Sequence, residues 1–492
     1  MTAPLRGDRA FRLLWFGEGV SVVGSATSTI LLPLLAVVRL HAGPGAMGLL
    51  AAAAWLPWLV VGVPVGVLVD RLSARGVMMT ADLVSAAALL SIPAAAAADV
   101  LSMAQLLCVA LVTGTCTVFF RAAYPALLRR IASSNHLTSA NARMLGTEAA
   151  ADVVGPSLGG WLAAVLGAAT GVLADVASFV VSAVCLWRLP RHAPRVARSA
   201  EPSRPAVGSV VARAREGVRF VYADRLLRLF AVSGGISNFG LTGVNALLVL
   251  FLARTVGLHA ATIGVLLALG SLGGVAGSTV AGRLCAALGS ARAMRLLAVV
   301  GAPAPLLLPF VGPGATIVIV PLALAMLGCG LVGGNVVRGA FRMQYVPADM
   351  LGRATTATQL VNFGAMPLAG VCAGALGDAI GLRLTLLVMA AVHAAASLAV
   401  PCSHVRHWRE LPAAPTRTDA QPVRLRSKDV VGRRTARTGR AQLGQRSGGP
   451  GRRMVARRRR RAVDRRRAGP AGHAGRLRRR GRARWPDGRE RR

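Results

Sequence analysis

Twelve long apolar stretches, joined by connections of a few residues, leave this chain few ways to fold. A bilayer core of roughly 30 Å needs about 20 apolar residues per helix. Stretches of that order run over residues 11–38, 46–69, 77–98, 103–126, 146–166, 171–187, 229–253, 262–281, 293–311, 315–337, 356–377 and 384–402. Hydrophobic residues make up 54% of the 492 and charged residues only 16%, a balance that excludes an ordinary soluble domain. The expectation is an all-α membrane protein with about twelve transmembrane helices. The first stretch, Phe11 to Val38, is about twice as long as a signal-peptide core and lacks a small-residue cleavage site, so it should remain as a span.

The connections alternate sharply in charge. Arg6, Arg9 and Arg12, then Arg71 and Arg75, Arg129, Arg130 and Arg143, the arginines between Arg188 and Arg228, Arg283, Arg292 and Arg295, and Arg342 and Arg353 all fall on one side. The other side holds Arg39, Arg254 and Arg383. By the positive-inside rule both termini are cytoplasmic, in a multi-pass protein of the bacterial inner membrane. The arginine-rich stretch divides the spans six and six. Residues 1–187 are expected to form one six-helix bundle, 188–228 a cytoplasmic linker ending in an amphipathic helix, and 229–402 a second bundle. Two short echoes link the halves. Leu40-His41-Ala42 followed by Gly48-Leu49-Leu50 recurs as Leu258-His259-Ala260 followed by Gly264-Val265-Leu266, and Arg121-x-Ala-Tyr124 recurs as Arg338-x-Ala-Phe341. Paired six-helix halves with a path between them are a common construction of secondary transporters.

Between the second and third spans stands Gly66-x-x-x-Asp70-Arg71, with Arg75 four residues on. Together with the twelve spans and the central linker, this loop resembles the signature Gly-x-x-x-Asp-Arg-x-Gly-Arg-Arg of the major facilitator superfamily, although Ser73 and Ala74 stand where Gly and Arg would be. The stretches FRLLWFGEGVSVVGSATSTILLPLLAVV, EGVRFVYADRLLRLFAVSG and PADMLGRATTATQLVNFGAMPLAGVCAGALGDAIGLR resemble the branch containing bacterial macrolide-efflux and enterobactin-exporter-like proteins. The resemblance implies that Gly66, Asp70, Arg71 and Arg75 form a conformational latch between the halves. Physically, Gly66 permits close helix approach, and Asp70 can lie against the positive end of a facing helix. A topology signal on a solvated turn is the simpler alternative. The fifth span carries Gly155-Pro156 with Gly159 and Gly160, half of the exporter branch's motif there, and either a hinge at Gly155, Pro156 and Gly159 or an ordinary kinked packing helix follows from it.

A carboxylate in hydrocarbon costs several kcal/mol unless paired or wetted, so acids inside spans are functional candidates. Glu18, Asp82, Glu148, Asp152 and Asp175 are such acids. Glu148 and Asp152, four residues apart, share a helix face with Gly155 and Gly159; they suit proton handling or an ion-pair cluster with Arg143. Glu18, followed by Ser21 and Ser25, suits substrate or proton contact as well as a structural hydrogen bond. Asp82 and Arg121 lie at similar depth and suit a structural salt bridge or, as the alternative, proton or substrate contact, and Asp175, near the outer end of its span, has a simple reading as a wetted acid. Asn238 and Asn245, seven apart, are the polar contacts expected from the second half, for substrate or for a neighbouring helix.

No phosphate-binding G-x-x-x-x-G-K-[ST] loop, H-E-x-x-H or nucleophile elbow occurs, and the seven cysteines are scattered singly. The reading is therefore a non-enzymatic, proton-driven secondary transporter without cofactor or metal, a monomer exporting a hydrophobic or amphipathic antibiotic, natural product or siderophore. An importer is the nearest rival. Residues 403–492 are expected to be a disordered arginine-rich tail. Residues 421–492 hold 27 Lys and Arg against 4 Asp and Glu, a net +23 of the chain's +39. Such a tail can bind anionic lipid or nucleic acid and make the spans a mere anchor. It also reads as GC-rich DNA translated out of frame, the reading preferred here, and no nucleic-acid partner is expected.

Overall fold

The computed structural model describes residues 9–69, 72–131, 137–190 and 207–412. The chain is helical throughout these residues. The first half comprises α1 (Arg9–Val38), α2 (Pro44–Val60, resumed as Gly62–Val69), α3 (Ala74–Ala97), α4 (Met103–Ile131), α5 (Leu137–Leu166) and α6 (Leu173–Trp187, after a short turn Ala168–Gly171). The linker helix α7 (Val207–Ala223) follows. The second half comprises α8 (Arg225–Leu250, with a π turn Phe251–Thr255), α9 (Ala260–Leu288), α10 (Ser290–Gly301, then 3-10 turns Ala304–Phe310), α11 (Ile319–Tyr345), α12 (Ala348–Ile380) and α13 (Leu382–Cys402). Eleven of these helical segments are long and apolar enough to cross a bilayer, and α2 is the twelfth apolar helix, shortened by its break.

Prolines act differently in different helices. Pro64 has no N–H to give the carbonyl of Val60, and α2 is interrupted at Val61. Pro156, for which the sequence left a hinge and an ordinary packing helix open, lies inside α5, which runs without interruption from Leu137 to Leu166. Neighbours on both flanks hold α5 there: Gly155 and Gly159 abut Ala26 and Thr27 of α1, and Gly160 abuts Gly264 of α9. Two connections are single glycines. Gly289 (φ 87°, ψ 155°) joins α9 to α10 and Gly381 (φ 82°, ψ 164°) joins α12 to α13, a backbone region open essentially to glycine alone.

The buried apolar core is arranged asymmetrically along the helices. At the end carrying Arg39, Arg254 and Arg383, here called the loop face, one continuous cluster draws Leu31, Leu35, Met47 and Leu106 from the first half and Leu247, Phe251, Leu308 and Leu386 from the second. At the opposite, arginine-rich face the core is split in two. One cluster, around Phe11, Met78, Val118 and Leu186, belongs to the first half. The other, around Leu227, Met294, Phe341 and Val400, belongs to the second half and includes Val221 of α7. Large apolar side chains such as Trp161, Val299, Phe310 and Leu322 remain exposed, as suits helices whose outer surface meets lipid.

The packed chain extends further than expected at its C-terminal side. The tail was placed from residue 403, but His404–His407 form a 3-10 turn with Val405 fully buried, and the backbone amide of Leu411 donates to Ser290 Oγ at 2.8 Å. Residues 413–492 lie outside the described residues.

Candidate functional site

The halves touch chiefly through two helix pairs. Gly48 of α2 meets Gly370 and Gly374 of α12, and Gly160 of α5 meets Gly264 of α9. A Cβ on Gly264 would stand 2.6 Å from the carbonyl oxygen of Pro156, so only glycine lets these backbones approach so closely. Gly48 and Gly264 are the two copies of one sequence echo, and each lies near the start of its helix at the loop face. Trp55 and Trp58 of α2 continue the first contact against Phe363 of α12, with ring centroids 5.9 and 4.8 Å apart. At the arginine-rich ends of the other pair, positions for a Cβ on Gly146 of α5 and Gly282 of α9 have nothing within 4 Å.

Within the first half a cavity of about 120 Å³ is walled by α1, α3, α4 and α6. Glu18, Ser21 and Ser25 line it from α1, Asp82 and Ser85 from α3, Cys116, Phe120 and Arg121 from α4, and Phe179 from α6. Asp82 is 1% exposed, and its Oδ2 is buried without a hydrogen-bond partner. Glu18 Oε2 and the Tyr124 hydroxyl are likewise buried and unsatisfied. A buried carboxylate oxygen without a donor is a demanding arrangement, and a natural receiver for a proton or for a ligand N–H.

Arg121 forms its ion pair with Glu148 of α5, Nη1 to Oε1 3.0 Å, not with Asp82 as the sequence reading had it. Depth alone did not distinguish the two acids; the packing of α5 brings Glu148 to the guanidinium. Asp152, one turn further on, is exposed, and the direct ion pair of Arg121 is with Glu148. Asp175, expected in water, is 2% exposed and accepts from Ser28 Oγ at 2.5 Å and Ser178 Oγ at 3.1 Å. Of the loop residues, Asp70 and Arg71 lie outside the described residues. Gly66 lies within the second piece of α2, and Arg75 donates from Nη1 to Leu189 O at 2.8 Å and from Nη2 to Trp187 O, fastening the start of α3 to the end of α6.

A smaller cavity, about 50 Å³, lies in the second half between α8, α10, α11 and α13. Ser233 and Ser237, Arg338, and His393 and Ser397 supply its polar atoms. Ser237 Oγ lies 3.0 Å from His393 Nδ1 and 3.0 Å from Ser397 Oγ. The asparagines chosen from the sequence are not in its wall: Asn238 is half-buried and Asn245 exposed. His393 and Ser397, four residues apart in an alanine-rich helix, were the overlooked signal of a polar face.

A sequence profile described as transmembrane secretion effector matches residues 1–433. The chain belongs to this family of major facilitator transporters. The transporter is 27% identical over 406 residues to the multidrug efflux pump Tap of Mycolicibacterium fortuitum, an alignment covering 79% of this chain and 94% of that pump. It is also 27% identical over 229 residues to the uncharacterised transporter YfiS of Bacillus subtilis, spanning 46% of this chain and about half (53%) of that relative. Solved structures share the fold. The nucleoside transporter NupG superposes with a TM-score of 0.64 at 12% identity, covering 81% of this chain and 99% of that one. A bacterial homologue of the human lysosomal transporter Spinster, crystallised inward-facing and unoccupied, gives 0.61 at 14% identity, covering 81% and 97%.

Proposed function

We propose that the chain is a proton-coupled exporter of hydrophobic or amphipathic small molecules, acting by alternating access in the bacterial inner membrane with both termini cytoplasmic. The observation that carries this reading is the first-half cavity, where two unsatisfied acid oxygens, Glu18 Oε2 and Asp82 Oδ2, share a wall with the Arg121–Glu148 pair. Outward direction and substrate class are supported by the likeness to Tap. A core joined at the loop face and split at the arginine-rich face is the shape of a transporter open toward the cytoplasm.

In this reading substrate enters from the arginine-rich side, and Phe120 and Phe179 offer it apolar surface beside the acids. Glu18 and Asp82 hold protons or the substrate's polar N–H groups in alternation. Binding of one releases the other, which links the proton gradient to efflux. Gly155, Pro156 and Gly159 let α5 slide against α1 while the halves rock. Gly66, Asp70, Arg71 and Arg75 form the latch on the cytoplasmic side that engages when the opposite face opens.

The test is accumulation of lipophilic dyes and antibiotics in cells expressing the wild type, Asp82→Asn, Glu18→Gln or Asp70→Asn, with and without a protonophore. Expression of the wild type should lower accumulation at least threefold, and each substitution or the protonophore should abolish the difference. Export that persists in the protonophore, or in the Glu18→Gln and Asp82→Asn double variant, would overturn proton coupling through these acids.

A further inference from the structure

The internal echo that pairs Arg121 with Arg338 breaks down at their partners. Arg121 of α4 is neutralised by Glu148 of α5, which stands eight residues before Pro156. In the second half the matching helix is α12, whose Pro367 is preceded at the same interval by Gln359. Gln359 carries no charge. Arg338 donates from Nη2 to Asn335 Oδ1 at 2.7 Å, and among the described side chains no carboxylate lies within ion-pair distance of it. The nearby acids are otherwise engaged or placed elsewhere. Glu216 pairs with Arg353, Asp224 accepts from Tyr345 and caps α8, and Asp378 lies at the loop face. Arg342, one turn beyond Arg338, adds a second cation on that helix.

A guanidinium inside a span without a counter-ion marks a site that a ligand completes. Arg338 shares its cavity with hydroxyl donors. His393 is 2% exposed and is held against Ser237 by close packing of α8 on α13, where Gly240 abuts the backbone of Met389 and His393. When Nδ1 carries the ring proton it donates to Ser237 O at 3.1 Å, which frees the Ser237 hydroxyl hydrogen for Ser397 or for a guest. A fixed cation with two serine hydroxyls is a receptor for an anionic oxygen group. The volume, about 50 Å³, suits a carboxylate head and not a whole drug-sized molecule, whose pockets measure roughly 300–1,000 Å³.

We infer that the second-half cavity is a subsite for the carboxylate of an amphipathic acid, with Arg338 as its charge partner and Ser237 and Ser397 as donors. This rests on the transport reading and narrows its substrate class: the first half provides acids for protons or cationic groups, and the second an unneutralised cation for an anionic one. At the position that corresponds by its spacing to Glu148 the second half has the uncharged Gln359, and Arg338 is left as an open cation where Arg121 is paired.

The test uses the purified full-length chain in lipid nanodiscs, with 4-phenylbutyrate and its methyl ester as probes and titration calorimetry as the readout. The wild type should bind the acid at least tenfold more tightly than the ester. Arg338→Gln should erase that preference and Arg338→Lys should keep part of it. The Ser237→Ala, Ser397→Ala double variant, which removes the hydroxyl donors of the same cavity, should also reduce it. Equal affinity of the wild type for acid and ester overturns the inference, as does a preference that survives Arg338→Gln. Where Arg338→Gln fails to fold, the result for the double serine variant decides, and an acid preference that survives it overturns the inference. Dye efflux by wild-type cells, measured in parallel, separates the two levels. Its absence sinks the transport reading, whereas an absent acid preference with efflux intact sinks only the subsite.

Discussion

At the scale of single residues, the buried polar contacts divide into those that are satisfied and those that are not, and the two kinds should respond differently to substitution. Asp175 is satisfied: Ser28 and Ser178 both donate to it in a buried setting. Ser28→Ala removes one donor from a buried carboxylate, and the expected loss is about 1–3 kcal/mol of stability. It should appear as a lower melting midpoint of the purified protein while dye efflux by the surviving fold is retained. The Arg121–Glu148 pair should instead behave as a functional unit. Arg121→Glu or Glu148→Arg alone leaves like charges facing each other, and each should abolish efflux. The exchange of both should recover part of it. Failure of the double exchange to exceed either single variant would show that the positions, not their attraction, matter. The acids themselves were legible in the sequence because a carboxylate in an apolar run is conspicuous. Their partners were not, since Asp82 and Glu148 lie on different helices at similar depth and only the packing of α5 on its neighbours selects one. His393 was missed for a related reason, a lone histidine among alanines having no visible partner until α8 is laid beside α13.

At the scale of helices, the loop face is closed by glycines, so it should open when they are filled. Gly264→Val places a side chain where the backbone of Pro156 and Gly160 already stands, and α5 and α9 must separate. Cys116, in the wall of the first-half cavity, is a built-in reporter. In a background whose other six cysteines are serine, a membrane-impermeant maleimide applied from outside the cell should label Cys116 at least threefold faster in Gly264→Val than in the wild type. Unchanged labelling would mean that this contact does not gate the path. Asp378 acts in the same place more gently. Its carboxylate abuts Gly45 at the start of α2, from the other half of the molecule, where a negative charge favours the helix N-terminus by about 0.3–1 kcal/mol. Asp378→Asn should therefore raise the same labelling by no more than about fivefold. The twelve apolar helices could be read directly from length and hydropathy, and the Gly48 and Gly264 echo already marked the contact points. What proline does inside a span could not be read. Pro156 is carried through an intact α5 by neighbours on both flanks, whereas Pro64 accompanies a break in α2.

At the scale of the whole molecule, the question is where the working transporter stops. A sequence reading that relies on apolar length ends it at Cys402, because the next ten residues have no helical period. The structure carries it on to residue 412. There the amides of Ala291 and Arg292 donate to Arg409 O, the guanidinium of Arg295 bonds Arg406 O, and Trp408 meets His404 edge-on with centroids 5.2 Å apart. These contacts hold the start of α10 from outside, so the segment belongs to the second bundle. Burial of Val405 alone is worth about 1.5–3 kcal/mol. A chain ending at residue 402 should melt at a lower temperature than the full chain and lose efflux in proportion. A chain ending at residue 412 should keep both its melting midpoint and its efflux. That second outcome would confine transport to the helical body and leave the arginine-rich residues beyond as a dispensable or separate feature. A 412-residue chain that folds with an unchanged midpoint but no longer exports would instead assign those arginines a part in the cycle, with anionic headgroups at the cytoplasmic surface as the partner to test first.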